Sequence, residues 1–416
     1  MKVRYKVLGF LFLLSIITFL DRVCMNVVSK YVKEDLELNN QSFGYILGAF
    51  SLAYALFEMP TGILGDRIGP RKVLTRVVFW WSGFTALTGS AFGFVHLLIV
   101  RFLFGVGEAG AYPNTSIAIS RWFPAVEVGR AQSVIWSAGR IGGALTPLLI
   151  IPLVHLVGWR FSFVLLGIVG AIWATAWYFW FKDSPEDFPG ISDEEKAEIL
   201  DGRKETQEHQ KLDWQTILKN KNVWMLMLMC HLFFYASYFF TNWSSTYFQE
   251  GRGMSEDQTK NFISLSYFLG AIGCIIGGFT SDILSKKLGL KLGRRIVGVT
   301  GLGLSSICFL FAGLVKDNQM AGYLLALCVL LKDLTLPVAF AVCVDIGKKN
   351  SGAVTGAMNF AGQMGGFFIT IIFGNIVHLT HNFNYPLFLI SGCLIVASSL
   401  WFFIDPTQAL KKSLSS

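Results

Sequence analysis

Charge is scarce in this chain: only 15% of its 416 residues are Asp, Glu, Lys or Arg, too few to coat a soluble globule of that length. An ordinary soluble enzyme or binding module is thereby excluded. Metal chemistry lacks its ligands as well, because Cys24, Cys230, Cys274, Cys308, Cys328, Cys343 and Cys393 stand singly in apolar runs, with no CxxC spacing and no histidine partners. They read as small core packers. No nucleophile lies beside a base and no Gly-rich phosphate cradle follows a strand, so neither covalent catalysis nor nucleotide-driven pumping is indicated. No cofactor is expected. The longest loop, between Lys182 and Lys221, is too short for the output domain of a receptor.

What the chain has instead is apolar length. Hydrophobic residues make up 53% and the mean hydropathy is +0.53. Runs of about 20 apolar residues, each enough to cross a bilayer, centre near Leu14, Ala53, Leu87, Gly107, Ala144, Gly170, Phe234, Ala271, Leu304, Leu327, Gly366 and Val396. Twelve transmembrane helices and an all-α membrane protein follow. With the basic N-terminus (Lys2, Arg4, Lys6) inside, most of the 35 Lys and Arg residues fall in inner loops and tails, which places both termini in the cytoplasm and the protein in the inner membrane. The net charge of +8 is then accounted for without nucleic acid. Asp21, Arg22 and Lys30 interrupt the place where a leader would be cleaved, so no cleavable signal peptide is expected.

Eight ionisable residues lie inside the apolar runs: Asp21, Arg22, Glu58, Arg101, Glu108, Arg140, Lys332 and Asp333. Each costs about 2.5 to 3.5 kcal/mol at mid-membrane if unpaired, so the set points to pairing around an internal polar path for ions or charged solutes. Adjacent helical residues diverge by about 100°, so Asp21 and Arg22 cannot face one neighbour together. Arg101 and Glu108, seven apart, share one stripe of the fourth span, with Gly105 leaving room for a neighbouring helix or solute.

The chain also repeats. Residues 1–181 and 222–404 each hold six spans; 182–221 is a charged linker and 405–416 a cytoplasmic tail. Ser192 with Glu195 three residues on reads as a capping box, so a short surface helix is expected from Asp193 to Arg203, with a solvated connecting role. Gly62, Gly65, Asp66, Arg67, Gly69, Arg71 and Lys72 follow the second span, and Gly278 with Asp282, Lys286 and Lys287 follows the eighth. Two repeated six-helix units around a central loop are the pattern of a transporter that rocks two bundles about a midplane site.

The stretch from Gly62 to Lys72 resembles the signature of the major facilitator superfamily. That resemblance implies two six-helix bundles related by pseudo-two-fold symmetry. The glycines are expected to permit close helix approach, and Asp66 to pair with basic residues of its loop or to cap a helix N-terminus, in a cluster made in one gate state and broken in the other. Within that superfamily, Leu20-Asp21-Arg22 in the first span and Arg101-x-x-x-Gly105-x-x-Glu108-Ala109 in the fourth resemble the anion:cation symporter family. Arg140 to Pro147, Asn242 to Phe248 and Ser351 to Asn359 extend the likeness nearly end to end.

The resemblance implies import of an organic anion, commonly a sugar acid or uronate or a related carboxylate, together with protons as coupling ion. It assigns substrate binding to Arg22, Tyr54 and Asn359, and proton coupling to Asp21 and Glu108. The residue chemistry agrees, since a guanidinium fits a carboxylate bidentately, and desolvation favours the neutral form of a carboxyl in an apolar helix, which lets it load and release a proton. Asp21 is expected to be held charged by Arg22 until a substrate carboxylate takes the arginine. Arg101 balances charge on the fourth span. Arg140 either meets a second carboxylate or distal oxygen of the solute or partners Glu108 or Asp21. Phe19 stands where sugar-acid members often have tyrosine, which removes a hydroxyl suited to a polyol and keeps plain and aromatic carboxylates open. The rival readings are an organophosphate:phosphate exchanger, which would look for a second arginine in the uncharged stretch Asn222 to Gln249, and a facilitative carrier.

The remaining residues carry blander expectations. Glu58 reads as part of an inner gate network, Lys332 and Asp333 as a packing or gate pair or a second coupling site, and His231 as a satisfied core histidine. Trp80 and Trp81 read mostly as lipid-facing belt, with Trp136, Trp243 and Phe340 as cavity candidates. The triplets beginning at Asn114 and Asn242 fall in spans and are discounted as glycosylation sites. The partners expected are the small anion, protons and the bilayer, with the protein a monomer.

Overall fold

The computed structural model describes residues 2–124, 127–201, 217, 219–348, 351–408 and 410, and every regular element among them is helical. In the first half these are α1 (Val3–Val27), α2 (Ser29–Asp35), α3 (Asn40–Ile68), α4 (Pro70–Thr88), α5 (Phe94–Glu108), α6 (Ala111–Trp122), α7 (Val128–Trp180) and the linker helix α8 (Asp193–Asp201). In the second they are α9 (Lys221–Tyr238), α10 (Glu256–Leu288), α11 (Leu290–Leu314), α12 (Asn318–Asp333), α13 (Thr335–Gly347), α14 (Ser351–Thr380) and α15 (Tyr385–Leu400).

Nine runs among the described residues are long and apolar enough to cross a membrane. One of them, α7, is two spans, because Gly158 breaks it at φ 80° and ψ 160°, a conformation open to glycine and strained for other residues. Two helices fall short of that threshold: α4, which carries Arg71, Lys72 and Arg76, and α15, which has 16 residues. They complete the twelve expected spans.

The chain divides into two compact units, Met1–Leu38 with Ala49–Gln210, and Asn39–Gly48 with Lys211–Ser416. These bounds depart from the sequence boundaries in two places. The linker helix belongs to the first unit, and the start of α3 belongs to the second. In the first unit α1 and α4 both pack along α7, and α4 packs on α5, around a core that includes Phe50, Leu74, Trp81, Phe104, Trp173 and Trp177.

Hydrogen bonding explains why α8 is not the solvated connector expected from its composition. Ser192 caps the Glu195 N–H at 3.2 Å, but the Glu195 carboxylate does not close the reciprocal half of a capping box. It accepts instead from the Val3 and Arg4 backbone N–H groups, both at 2.9 Å, two of the donors that a helix start leaves open. Arg4 bonds Glu198 at 2.7 Å and Lys2 bonds the same carboxylate, while Ile199 is buried. Those bonds to Arg4 and Lys2 push the Glu198 carboxyl down to about 2. A depressed carboxyl stabilises above its ordinary value and loses that contribution as pH falls through the depressed one, so this clamp stays ionised at physiological pH. Glu195→Ala is expected to cost about 1 to 2 kcal/mol, read as a lowered midpoint in thermal unfolding of the purified protein. Arg203, the expected end of the helix, lies outside the described residues.

The signature loop departs from expectation in its acid. Asp66 is exposed, and the carboxylate at the start of α4 is Asp183, which accepts from the Arg71 N–H at 2.8 Å and lies 3.9 Å from Arg121. Gly69 holds φ 89° there, and a Cβ on it would come within 2.5 Å of that carboxylate. Gly62 and Gly65 let α3 approach α6, since added Cβ atoms would meet Pro113 at 3.2 Å and Asn114 at 1.8 Å. Arg71 also donates to the Tyr178 carbonyl at 2.9 Å, while Arg67 and Lys72 are exposed.

In the second unit the echo of that loop does form an ion pair, with Arg294 bonding Asp282 at 3.1 Å and lying 3.4 Å from Asp345. Beyond α9 the backbone passes through π-helical turns at Phe239–Trp243 and Tyr247–Gly251. There Trp243 is fully buried, donates to the Thr370 carbonyl at 3.1 Å and stacks on Phe373. It is a packing residue of this unit, not the cavity residue its sequence position suggested. The tail is docked at its start, where Asp405 is bonded to Asn222 and Lys291.

Candidate functional site

The membrane charges of the first unit sort themselves around one contact. Arg22 donates from Nε to Glu108 Oε1 at 2.6 Å, across 86 residues of sequence. Glu108 is wholly buried and the arginine retains 11% side-chain exposure. Glu108 sits where it does because α5 ends with it: Pro113 has no N–H to give the Ala109 carbonyl, and the chain turns through Ala109 and Gly110 before α6 begins.

Aromatic rings box the guanidinium. Its carbon lies 4.4 Å from the Tyr54 ring centroid, 5.6 Å from Phe50, 5.8 Å from Phe19 and 5.9 Å from Tyr112. Rings at such distances attract a cation by about 0.5 to 2 kcal/mol each, which holds Arg22 extended in a dry surround. Tyr54 is 1% exposed, with its ring against the Arg22 guanidinium. The Tyr112 hydroxyl is spent on Ser15, 3.0 Å away, because Ser15 itself donates to the Ile135 carbonyl. Trp136 stacks on the Tyr112 ring at 4.9 Å, which puts that residue at the wall of the box.

Asp21 is not part of this contact. It faces the other side of α1, buried, with Arg101 and Glu108 as the charged groups acting on it. The expectation that Arg22 holds Asp21 charged is therefore corrected: the 100° offset sends the two residues apart, and Glu108 takes the arginine. Arg101 lies behind Glu108, buried, with its guanidinium 4.4 Å from the Phe104 ring and 5.4 Å from Phe50.

Glu58 corrects a second expectation. One turn beyond Tyr54 on α3 and half-buried, it acts electrostatically on both Arg22 and Tyr54. It is a neighbour of the arginine box and not a member of the signature-loop network. The spacing of four from Tyr54 was the available signal. Arg140, half-buried on α7, acts on Tyr112, whereas the cations acting on Glu108 are Arg22 and Arg101. The expected role of Arg140 towards the solute is open to a direct test. Arg140→Gln is expected to weaken competition by dicarboxylates about tenfold, the worth of one charge-assisted hydrogen bond, and to leave monocarboxylates unaffected in a competition series of uptake.

The second unit holds the other charges. Lys332 bonds Asp333 at 2.5 Å and the Ser237 hydroxyl at 3.1 Å, over the Phe233 ring. Both members are buried, at the junction of α12 and α13. His231 bonds the Ala361 carbonyl at 3.0 Å. Asn359 is half-buried on α14.

An arginine paired to a wholly buried glutamate in a helical membrane protein marks a functional site, and a sequence profile gives the family. That of the Major Facilitator Superfamily matches residues 11–370. The chain belongs to the Major Facilitator Superfamily. It is a multi-pass membrane transporter with the twelve-helix fold of that superfamily, and not an enzyme. The hexuronate transporter of Bacillus subtilis is 33% identical over 403 residues, covering 96% of this chain and 94% of its own. The probable sulfoacetate transporter SauU of Cupriavidus necator is 31% identical over 409 residues, covering 97% and 94%. Among solved structures, a bacterial homologue of the human lysosomal transporter Spinster, in an inward-facing and unoccupied conformation, superposes with a TM-score of 0.76 at 18% identity, covering 97% of each chain. That likeness concerns the superfamily fold.

Proposed function

We propose that this facilitator-superfamily transporter imports an organic anion together with protons by alternating access, across an inner membrane with both termini cytoplasmic. The observation that carries the reading is the Arg22–Glu108 bond inside an aromatic box. An anion entering the box meets one guanidinium, already occupied by a carboxylate. Protonating Glu108 releases the arginine, and an arriving carboxylate then replaces what Glu108 gave up. Anion and proton thus favour each other's binding, which is the thermodynamic condition for symport. Binding energy comes from a charge-assisted fork in dry surroundings.

The box also limits the solute. Its walls are mostly ring faces, one of its two phenol hydroxyls is already engaged, and Phe19 adds none. A small carboxylate or sulfonate suits it better than a long polyol. Both hexuronate and sulfoacetate, named for the relatives, fall within the class of carboxylates and sulfonates that a guanidinium accepts.

The test is proton movement in proteoliposomes without an imposed gradient. Adding external hexuronate, galactarate or sulfoacetate in turn is expected to make the medium more alkaline with the one that is carried, as protons enter beside it. Labelled uptake with no change of external pH would overturn the proton-coupled reading. One proton per monoanion moves no net charge, while two carry one charge, worth about 2.3 kcal/mol per 100 mV; a valinomycin-imposed potential distinguishes the stoichiometries.

A further inference from the structure

Asp21 stands in a polar pocket separate from the arginine box. The indole N–H of Trp81 and the hydroxyl of Thr85, one turn apart on α4, are the neutral polar groups that act on its carboxylate. All three residues are at most 1% exposed. Trp81 Nε1, Thr85 Oγ1 and both Asp21 oxygens are buried and complete no hydrogen bond among the described residues, with one another included, so two donors and an acid stand unsatisfied together. Trp81 was expected to face lipid. It is turned inward because α4 is held at close range on both sides: a Cβ on Gly107 of α5 would lie 3.1 Å from the Trp81 backbone nitrogen, and one on Gly170 of α7 would lie 2.1 Å from Ser82 Oγ.

Packing alone does not account for these side chains. A buried N–H or hydroxyl without a partner costs about 1 to 3 kcal/mol, whereas Phe and Val would fill the same volumes without that cost. Two donors aimed at one buried acid make sense if they serve its ionised form. The charged and titratable groups around Asp21 are Arg101 and Glu108 at the α5 side and Cys24 on α1 itself; α4 contributes only these neutral donors. Their effect is therefore on the carboxylate specifically.

We infer that Trp81 and Thr85 are positioning residues for Asp21, donating to its carboxylate and setting how readily it gives up its proton during transport. The inference rests on the proton-symport reading above. Hydrogen bonds to the charged form favour that form, so removing a donor strengthens proton retention.

The measurement is the pH profile of proton-driven uptake in proteoliposomes for the wild type, Trp81→Phe, Thr85→Val and Thr85→Ser. In Trp81→Phe and in Thr85→Val the midpoint of activation is expected to move to higher pH by about one unit, the worth of one hydrogen bond to a charged group. Thr85→Ser, which keeps the hydroxyl, is expected to retain the wild-type midpoint. The shift is expected to vanish when either substitution is made in an Asp21→Asn background. Lower rates at every pH with an unmoved midpoint overturn the inference, as does a shift that persists without Asp21. A Trp81→Phe protein that fails to fold leaves the Thr85 pair to decide. A wild type whose uptake moves no protons refutes the symport reading itself, a result distinct from an unmoved midpoint in a coupled wild type.

Discussion

Arg22→Lys is expected to weaken anion binding roughly 100-fold, close to the upper range of one charge-assisted hydrogen bond of about 1.5 to 3 kcal/mol. Lysine keeps the charge, so a point-charge role for Arg22 would survive the change. What lysine lacks is the planar fork that engages two oxygens, and a flat face to lie 4.4 Å from the Tyr54 ring. Removing the residue altogether is a poorer test, because it leaves Glu108 buried without its partner, and breaking a buried pair costs about 3 to 5 kcal/mol. Ligand-induced thermal stabilisation of the purified protein reads the affinity, and counterflow in proteoliposomes reads transport. A fall of threefold or less in both would mean that the anion is held elsewhere. Tyr54→Phe separates the ring from its hydroxyl: with the ring kept over Arg22, affinity is expected to stay within a few fold.

What sequence alone disclosed here follows from the range of the forces involved. Spans were legible because hydropathy over about 20 residues is a local property, and Gly62 and Gly65 because a signature packed into one loop carries its own spacing. The pairing of Arg22 was half legible: the 100° helical offset separated it from Asp21, but its choice of Glu108 depends on where α5 breaks, 86 residues away. Asp183 was missed for the same reason, since it reaches Arg71 across 112 residues while Asp66 sat within the motif and attracted the role. Trp81 shows the limit differently. An aromatic pair in an apolar helix reads as a lipid belt, and only the glycine contacts of α4 with α5 and α7 decide that Trp80 stays half exposed while Trp81 is buried. Glu195 was recognised as a helix-start residue, and its carboxylate does serve a helix start, but that of α1.

Glu108→Gln is expected to abolish accumulation driven by a proton gradient while counterflow of the anion persists. The amide preserves the size of the side chain and can still accept from Arg22 Nε, so the box keeps its shape. It cannot exchange a proton, and its neutral oxygen competes more weakly for the guanidinium than a carboxylate does. Two results follow together. Anion affinity in the variant is expected to equal or exceed that of the wild type, by up to the 5- to 150-fold span, about 1 to 3 kcal/mol, typical of coupling between sites. Its dependence on pH is also expected to flatten, whereas in the wild type affinity rises as pH falls, because protonating Glu108 is what frees Arg22. Asp21→Asn provides the contrast: with Arg22 and Glu108 still paired, the pH dependence of binding is retained, and the loss appears in the proton-driven step alone. Binding measured across the acid-to-neutral range in the three proteins separates these cases. If Glu108→Gln keeps a wild-type pH dependence of affinity, the competition between Glu108 and the anion for Arg22 is not what links anion to proton, and Asp21 on α1 and Glu58 beside the box become the acids to test for the coupling.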